Sequence, residues 1–172
     1  GGSQLPPFRF TGHRTAVSAP AATGPNQGLI TGTQGFMTSE IQPACRLLAV
    51  YGSLRRDPAG REHPLMAPAE FLGTGHFPGC LYDLGEFPGA IQADSGTVAV
   101  EIFRLLDPDT AWLRLDDYED CHAEDPHGGM FHRAVLQVER SSGPPLAAWI
   151  YLYNKPVAES LRVISGIWVA PR

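Results

Sequence analysis

Apolar positions in this chain come in short bursts, and the first clear one is Leu47-Leu48-Ala49-Val50. Four apolar residues ending in Val predict a short buried strand. It stops at Tyr51-Gly52-Ser53-Leu54 and gives way to the polar Arg55-Arg56-Asp57-Pro58. A glycine at such a bend lets the backbone take φ > 0 or lets a ligand come close, and consecutive N–H groups there can converge on an anion. Pro58, Pro64 and Pro68 leave room for at most a short helix around Arg61 to Met66. Phe71 to Phe77 predicts a short strand interrupted by glycine, Pro78-Gly79 a turn, and Cys80 to Leu84 a second strand ended by a turn at Gly85 to Gly89. Thr97 to Phe103 alternates, with Val98, Val100 and Ile102 on one side.

The strongest helix signal follows. Asp107 can cap, Pro108 suits the first helical position, Asp109 favours the positive end of the dipole, and residues 110–118 carry no breaker. Ala111, Leu115 and Tyr118 fall on one face, with Trp112 beside them. A loop over 121–130 leads to strands at Phe131 to Glu139 and Leu146 to Asn154, and the end from Val163 is irregular. Many short strands with one clear helix predict an α+β fold on a curved sheet or small barrel.

Residues 1–36 show no periodicity and no acidic residue, so they are expected to be a disordered or cloning-derived leader before a domain over 37–172. The 172 residues suit one domain with a real core. A net charge of −5 argues against a general nucleic-acid binder, and no apolar run is long enough to span a membrane. Three scattered cysteines, Cys45, Cys80 and Cys121, predict reduced thiols and a cytoplasmic protein.

Asp116-Asp117-Tyr118-Glu119-Asp120 crowds four acids onto the negative end of the predicted helix. They form either a solvated acidic turn or a site in which one carboxylate points inward as a base. Like-charge neighbours and burial would both raise the pKa of such a group. Cys121, His122, His127 and His132 fit no zinc spacing well, and no metal site is expected. Ser53 lacks the Gly-x-Ser-x-Gly frame of a nucleophile elbow, and Gly73-x-Gly75 lacks a dinucleotide context. Trp149, Tyr151 and Tyr153 share a strand face that is expected to pack the barrel, or else to wall a pocket.

In chain order these segments resemble the γ-glutamylcyclotransferase-like family, which includes the γ-glutamylamine cyclotransferases and the plant avirulence-induced proteins. Tyr51-Gly52-Ser53-Leu54 resembles its Tyr-Gly-Ser/Thr-Leu signature, and Tyr82-Asp83-Leu84-Gly85-Glu86-Phe87-Pro88 its Tyr-Asp-Leu-Gly-x-Tyr/Phe-Pro segment. Leu115-Asp116-Asp117-Tyr118-Glu119 is similar to its Leu-Asp-x-x-Glu motif, and Phe131-His132-Arg133 to its Tyr-x-Arg. Trp149 to Tyr153 and Ser165-Gly166-Ile167-Trp168 resemble its closing strand and Ser-Gly-Asp-Trp tail. Asp120, Phe131 and Ile167 depart from the usual residues, and the loop from Cys121 to Met130 is long and His-rich.

The resemblance implies a small mixed β-barrel with flanking short helices and a pocket at the Tyr51, Gly52, Ser53, Leu54 turn. It implies a cofactor-independent enzyme acting on a small-molecule γ-glutamyl substrate. The α-amine attacks its own γ-carbonyl and releases 5-oxoproline with a free amine or amino acid. The position matching the family's general base is Glu119, and the turn's backbone N–H groups would hold the glutamyl carboxylate or the developing oxyanion. The alternatives are a non-catalytic small-molecule-binding protein on the same barrel and a metal-dependent hydrolase using the 121–132 histidines.

Overall fold

A computed structural model describes residues 46–170. The expected leader over 1–36, the domain start at Met37 and Cys45 lie outside the described residues. Five strands close into a barrel in the order β1-β3-β2-β4-β5, confirming the α+β barrel expectation. They are β1 (Leu47–Val50), β2 (Ala69–Asp83), β3 (Pro88–Leu105), β4 (Phe131–Arg140) and β5 (Leu146–Tyr153). One helix, α1 (Pro108–Tyr118), joins β3 to β4. Neighbours run antiparallel except β1 and β5, whose parallel pairing at Leu48 and Trp149 closes the ring. Among the described residues no helix is long and apolar enough to cross a membrane.

Period-two alternation divides the core. Ala49, Tyr51, Val98, Val100, Ile102, Ile150 and Leu152 point into the barrel, where Phe77 and Leu81 join them. Leu48, Val50, Phe103, Leu105 and Tyr151 face outward and are covered by Ala111 and Leu115 of α1. Asp107 caps the helix by accepting the Thr110 N–H, with Pro108 at the first helical position. Tyr118, grouped with Ala111 and Leu115 from the sequence, instead stays 46% exposed at the helix end.

The clearest difference from the sequence expectation lies in β2. Pro78-Gly79 is not a turn: β2 runs straight through it with a shift in register. Pro78 pairs with Thr97 and Gly79 with Gln92, so residues 93–96 of β3 bulge out there, and a proline without an N–H is accommodated. The polar stretch before β2 forms a single 3-10 turn, Pro64–Met66, as short as expected, with the Leu65 N–H donating to His63 Nδ1 and the Met66 N–H to the His63 carbonyl. Three prolines prevent anything longer.

Gly75 sits where β2 crosses β4, paired with Val100 on one side and Arg140 on the other. A Cβ there would lie 2.5 Å from the Glu139 carbonyl oxygen and 2.9 Å from Val138 Cγ1. Gly75→Ala is therefore expected to destabilise the barrel by about 1–3 kcal/mol, the usual range for overpacking. A thermal melt checks this: the midpoint should fall by several degrees, and an unchanged midpoint would mean the strands can part at no cost.

Candidate active site

The end of β1 is held from both sides. Tyr51 is buried in the barrel, where its hydroxyl donates to the Tyr151 carbonyl (2.7 Å) and accepts from the Ala90 N–H (3.2 Å). The chain then turns, with the Arg55 N–H donating to the Gly52 carbonyl at 3.1 Å. Gly52 does not have the positive φ that the sequence allowed for. It is needed for close approach instead, because a Cβ would meet Pro88 Cγ at 3.0 Å. Beyond the turn, the Arg56 N–H donates to Glu101 Oε2 at 2.9 Å, and the Arg56 guanidinium, 3.4 Å from the same oxygen, stacks over Phe71. Glu101 lies opposite Val50 in the β1–β3 ladder and is buried. With its exit pinned, the turn keeps the Gly52, Ser53 and Leu54 N–H groups without an acceptor among the described residues.

Glu119 is the residue at which α1 ends. Its own N–H still donates to the Leu115 carbonyl, and Asp120 then takes a left-handed φ of 48° to turn the chain away. The Glu119 side chain is half-buried, and its carboxyl has no hydrogen-bond partner among the described residues. Burial without a partner disfavours the anion and lifts this carboxyl from the ordinary 4.5 to about 7. The sequence pointed to repulsion from neighbouring acids as a second cause, but burial alone accounts for the shift. Tyr51 is pushed up by burial and by the nearby Glu119 charge, so it stays a neutral phenol.

Turn and helix end share one cavity of about 200 Å³. That is below the roughly 300–1,000 Å³ usual for ligand pockets and suits a group of amino-acid size. Tyr51, Gly52, Ser53 and Leu54 line it together with Glu119, so the structure brings all five sequence-nominated residues to one place. The Ser53 and Tyr118 hydroxyls, 3.1 Å apart, link the two halves. The remaining walls are mainly apolar: Phe87 and Pro88 before and in β3, Met130 and Phe131 at β4, and Tyr151 on β5. Free N–H donors and a half-neutral carboxyl in such a space can stabilise a developing oxyanion and accept a proton.

The other acids and the histidines do different things. Asp117 and Asp120 are exposed, as expected of a solvated turn, and Asp120 is held below the usual carboxylate range by hydrogen bonds from His122 and the Met130 N–H. Asp116 is not solvated: its Oδ1 accepts the Tyr151 hydroxyl at 2.7 Å and pairs with Arg133 Nε at 3.1 Å. His132 is bonded to Asn154 Oδ1 at 2.6 Å, and among the described residues no three His, Cys, Asp or Glu side chains gather as metal ligands. The face carrying Trp149, Tyr151 and Tyr153 turns outward from the barrel, and Tyr151 is a wall of the cavity.

Sequence reading does not single out Glu101. A signal exists, since it is the one charged position in the alternating run Thr97 to Phe103. Phe87, Met130 and Phe131 carry no signal as cavity walls, because the elements that bear them are distant in sequence.

Residues 48–170 match the family described as Gamma-glutamyl cyclotransferase, AIG2-like. The Gamma-glutamylcyclotransferase family protein YtfP of Escherichia coli K12 is 35% identical over 121 residues, which are 70% of this chain and 93% of that protein. The solution structure of E. coli YtfP is 34% identical, with a TM-score of 0.50 over 72% of this chain and 96% of that one. The crystal structure of an AIG2-like protein from Mus musculus is 25% identical, with a TM-score of 0.53 over 67% of this chain and 81% of that one. With the family match spanning the whole barrel, its turn and its helix end, this chain belongs to the AIG2-like γ-glutamyl cyclotransferase family.

Proposed function

We propose that this protein releases 5-oxoproline and a free amine or amino acid from a γ-glutamyl compound, with Glu119 as general base and no cofactor. The observation that supports it most is a carboxyl at about 7 in a mainly apolar cavity lined also by Gly52, Ser53 and Leu54, whose backbone N–H groups have no acceptor among the described residues. In the bound substrate the α-amine nitrogen attacks the γ-carbonyl carbon and closes the five-membered ring. The bond to the leaving nitrogen breaks, and the proton removed by Glu119 passes to that nitrogen. Nucleophile and electrophile sit in one molecule, and such pairs, once correctly oriented, reach effective molarities of about 10⁵–10⁸ M. A free α-amine titrates at about 7.7–8.0 and needs a base near neutrality. A carboxyl at about 7 is matched to that task. Charge building on the carbonyl oxygen, or the substrate's α-carboxylate, is stabilised by the turn's N–H groups.

The direct test is to incubate the protein with γ-glutamyl amines and dipeptides and measure 5-oxoproline. Binding without release would reduce the protein to a small-molecule binder. For active substrates, kcat/KM is expected to rise with pH through about 7 as Glu119 ionises. Glu119→Gln should lower the rate by about 10²–10⁴-fold; full turnover in that variant removes Glu119 from the mechanism.

The same carboxyl makes stability depend on pH. Its folded pKa lies above the unfolded one, so the folded state binds the extra proton between about 4.5 and 7. The associated stability is fully present below the unfolded pKa and lost as pH rises through the folded value. Glu119→Gln should therefore melt like the parent near pH 4.5 and above it at pH 8. Parallel pH–stability curves for the two proteins would refute the burial argument.

Gly52→Val would drive a β-branched side chain into Pro88, already 3.0 Å from a bare Cβ, and shift the turn. Affinity for a γ-glutamyl ligand should drop roughly tenfold or more, the size expected for losing one hydrogen bond to a charged group. Parental affinity in that variant would take the turn out of the site.

A further inference from the structure

We infer that Asp116 is a positioning residue, which holds the last turn of α1 against the barrel so that Glu119 stays inside the cavity. The inference rests on the reading of Glu119 as the base. Nothing at Glu119 itself fixes its carboxyl, since no described residue bonds to it. Its place must be set by the helix that ends there. That end is electrostatically poor: Asp116, Asp117, Glu119 and Asp120 crowd the negative pole, and the last turn carries no basic residue.

Asp116 lies three positions before Glu119, on the neighbouring turn and the same side of the helix. Its Oδ1 takes two donors, the Tyr151 hydroxyl at 2.7 Å from β5 and Arg133 Nε at 3.1 Å from β4. Arg133 and Tyr151 are direct partners in the β4–β5 ladder, so one carboxylate oxygen ties α1 to a rigid cross-strand pair. Arg133 is itself braced, with its guanidinium 4.7 Å from the Trp112 ring centre and 5.4 Å from that of Trp149. The Asp116 carbonyl meanwhile accepts the Cys121 N–H at 2.8 Å, fastening the chain just past Glu119. Side chain and backbone of Asp116 thus both act on the short stretch that carries the base. Charged hydrogen bonds of this kind, shielded from water, contribute more than neutral ones.

The test reads the position of Glu119 through its titration. The titratable groups that share the cavity with it are Tyr51 from just past β1, Tyr118 and Asp120 from its own segment, and Tyr151 from β5. The start of β3 and β4 present only apolar side chains. Carbon-13-labelled glutamate, with the Glu119 signal assigned by its loss in Glu119→Gln, lets the carboxyl be followed by NMR without any substrate. Asp116→Ala removes both bonds, so Glu119 gains water and its midpoint should fall by about one pH unit or more from 7. Asp116→Asn removes the charge but keeps an oxygen for both donors, and should stay within a few tenths of the parent. An unchanged midpoint in Asp116→Ala, or equal falls in Ala and Asn variants, overturns the inference, the second because charge alone would then explain it. A melt of each variant confirms that it is folded, and should Asp116→Ala not fold, Arg133→Gln and Tyr151→Phe each remove one of the two bonds and should each lower the midpoint.

With an active substrate, Asp116→Ala should lose about 10–100-fold in kcat with KM within a few-fold, and its acid limb should move down with the NMR midpoint. A parent that releases no 5-oxoproline defeats the catalytic reading, while the titration still decides whether Asp116 places Glu119.

Discussion

A four-residue strand closes this barrel, and both of its faces are buried. Ala49 and Tyr51 must enter the interior while Leu48 and Val50 lie under α1, so neither a slip in register nor a rotation is tolerated. Because β1 is too short to absorb distortion, whatever follows it inherits its position. The turn at Gly52 is therefore placed by groups far away in sequence: by Pro88, by the carbonyl of Tyr151, and by Glu101.

The molecule handles two carboxyls withdrawn from water, Glu101 and Glu119, in opposite ways. Glu101 is buried with an N–H and a guanidinium directed at it, an arrangement in which the desolvated charge is compensated and the segment it binds is held still. Glu119 is withdrawn from water with no described partner, which costs free energy whenever it ionises. The first acid fixes geometry; the second keeps a raised pKa. The apolar walls of the cavity around Glu119 sharpen the second effect by lowering the local dielectric. A helix end carrying four acids would be a poor choice for stability alone, and it persists here because one of the four is anchored to β4 and β5.

Much of this is legible in the chain. Alternation at Val98, Val100 and Ile102, the cap and proline at Asp107-Pro108, and the apolar burst before Gly52 are local signals, and each element forms where its signal lies. Pro78-Gly79 misleads because the turn chemistry of those residues is outweighed by continuous pairing on both sides of a bulge. The site is half legible. Glu119 and the 51–54 turn stand out through motif order, whereas the ties of Asp116 to Arg133 and Tyr151 depend on barrel closure, a long-range event with no local trace. Gly52 stands out for an incomplete reason: the constraint there is the nearness of Pro88, which no window around the glycine contains.

The parallel seam has a consequence for how the protein is made. Every other strand pairs antiparallel with a neighbour, and the long β2–β3 hairpin can assemble as soon as its own residues exist. Among the described residues β1 is the first strand in chain order, yet its second edge is completed by Trp149 of β5, the last. During synthesis the strand that carries the turn must wait with one side open while the helix bearing Glu119 is already in hand. Contacts so far apart in sequence carry a high loop-closure cost, which antiparallel hairpin contacts such as β2–β3 avoid. The cavity is accordingly completed late, since a chain that stops short of Tyr151 lacks one of its walls.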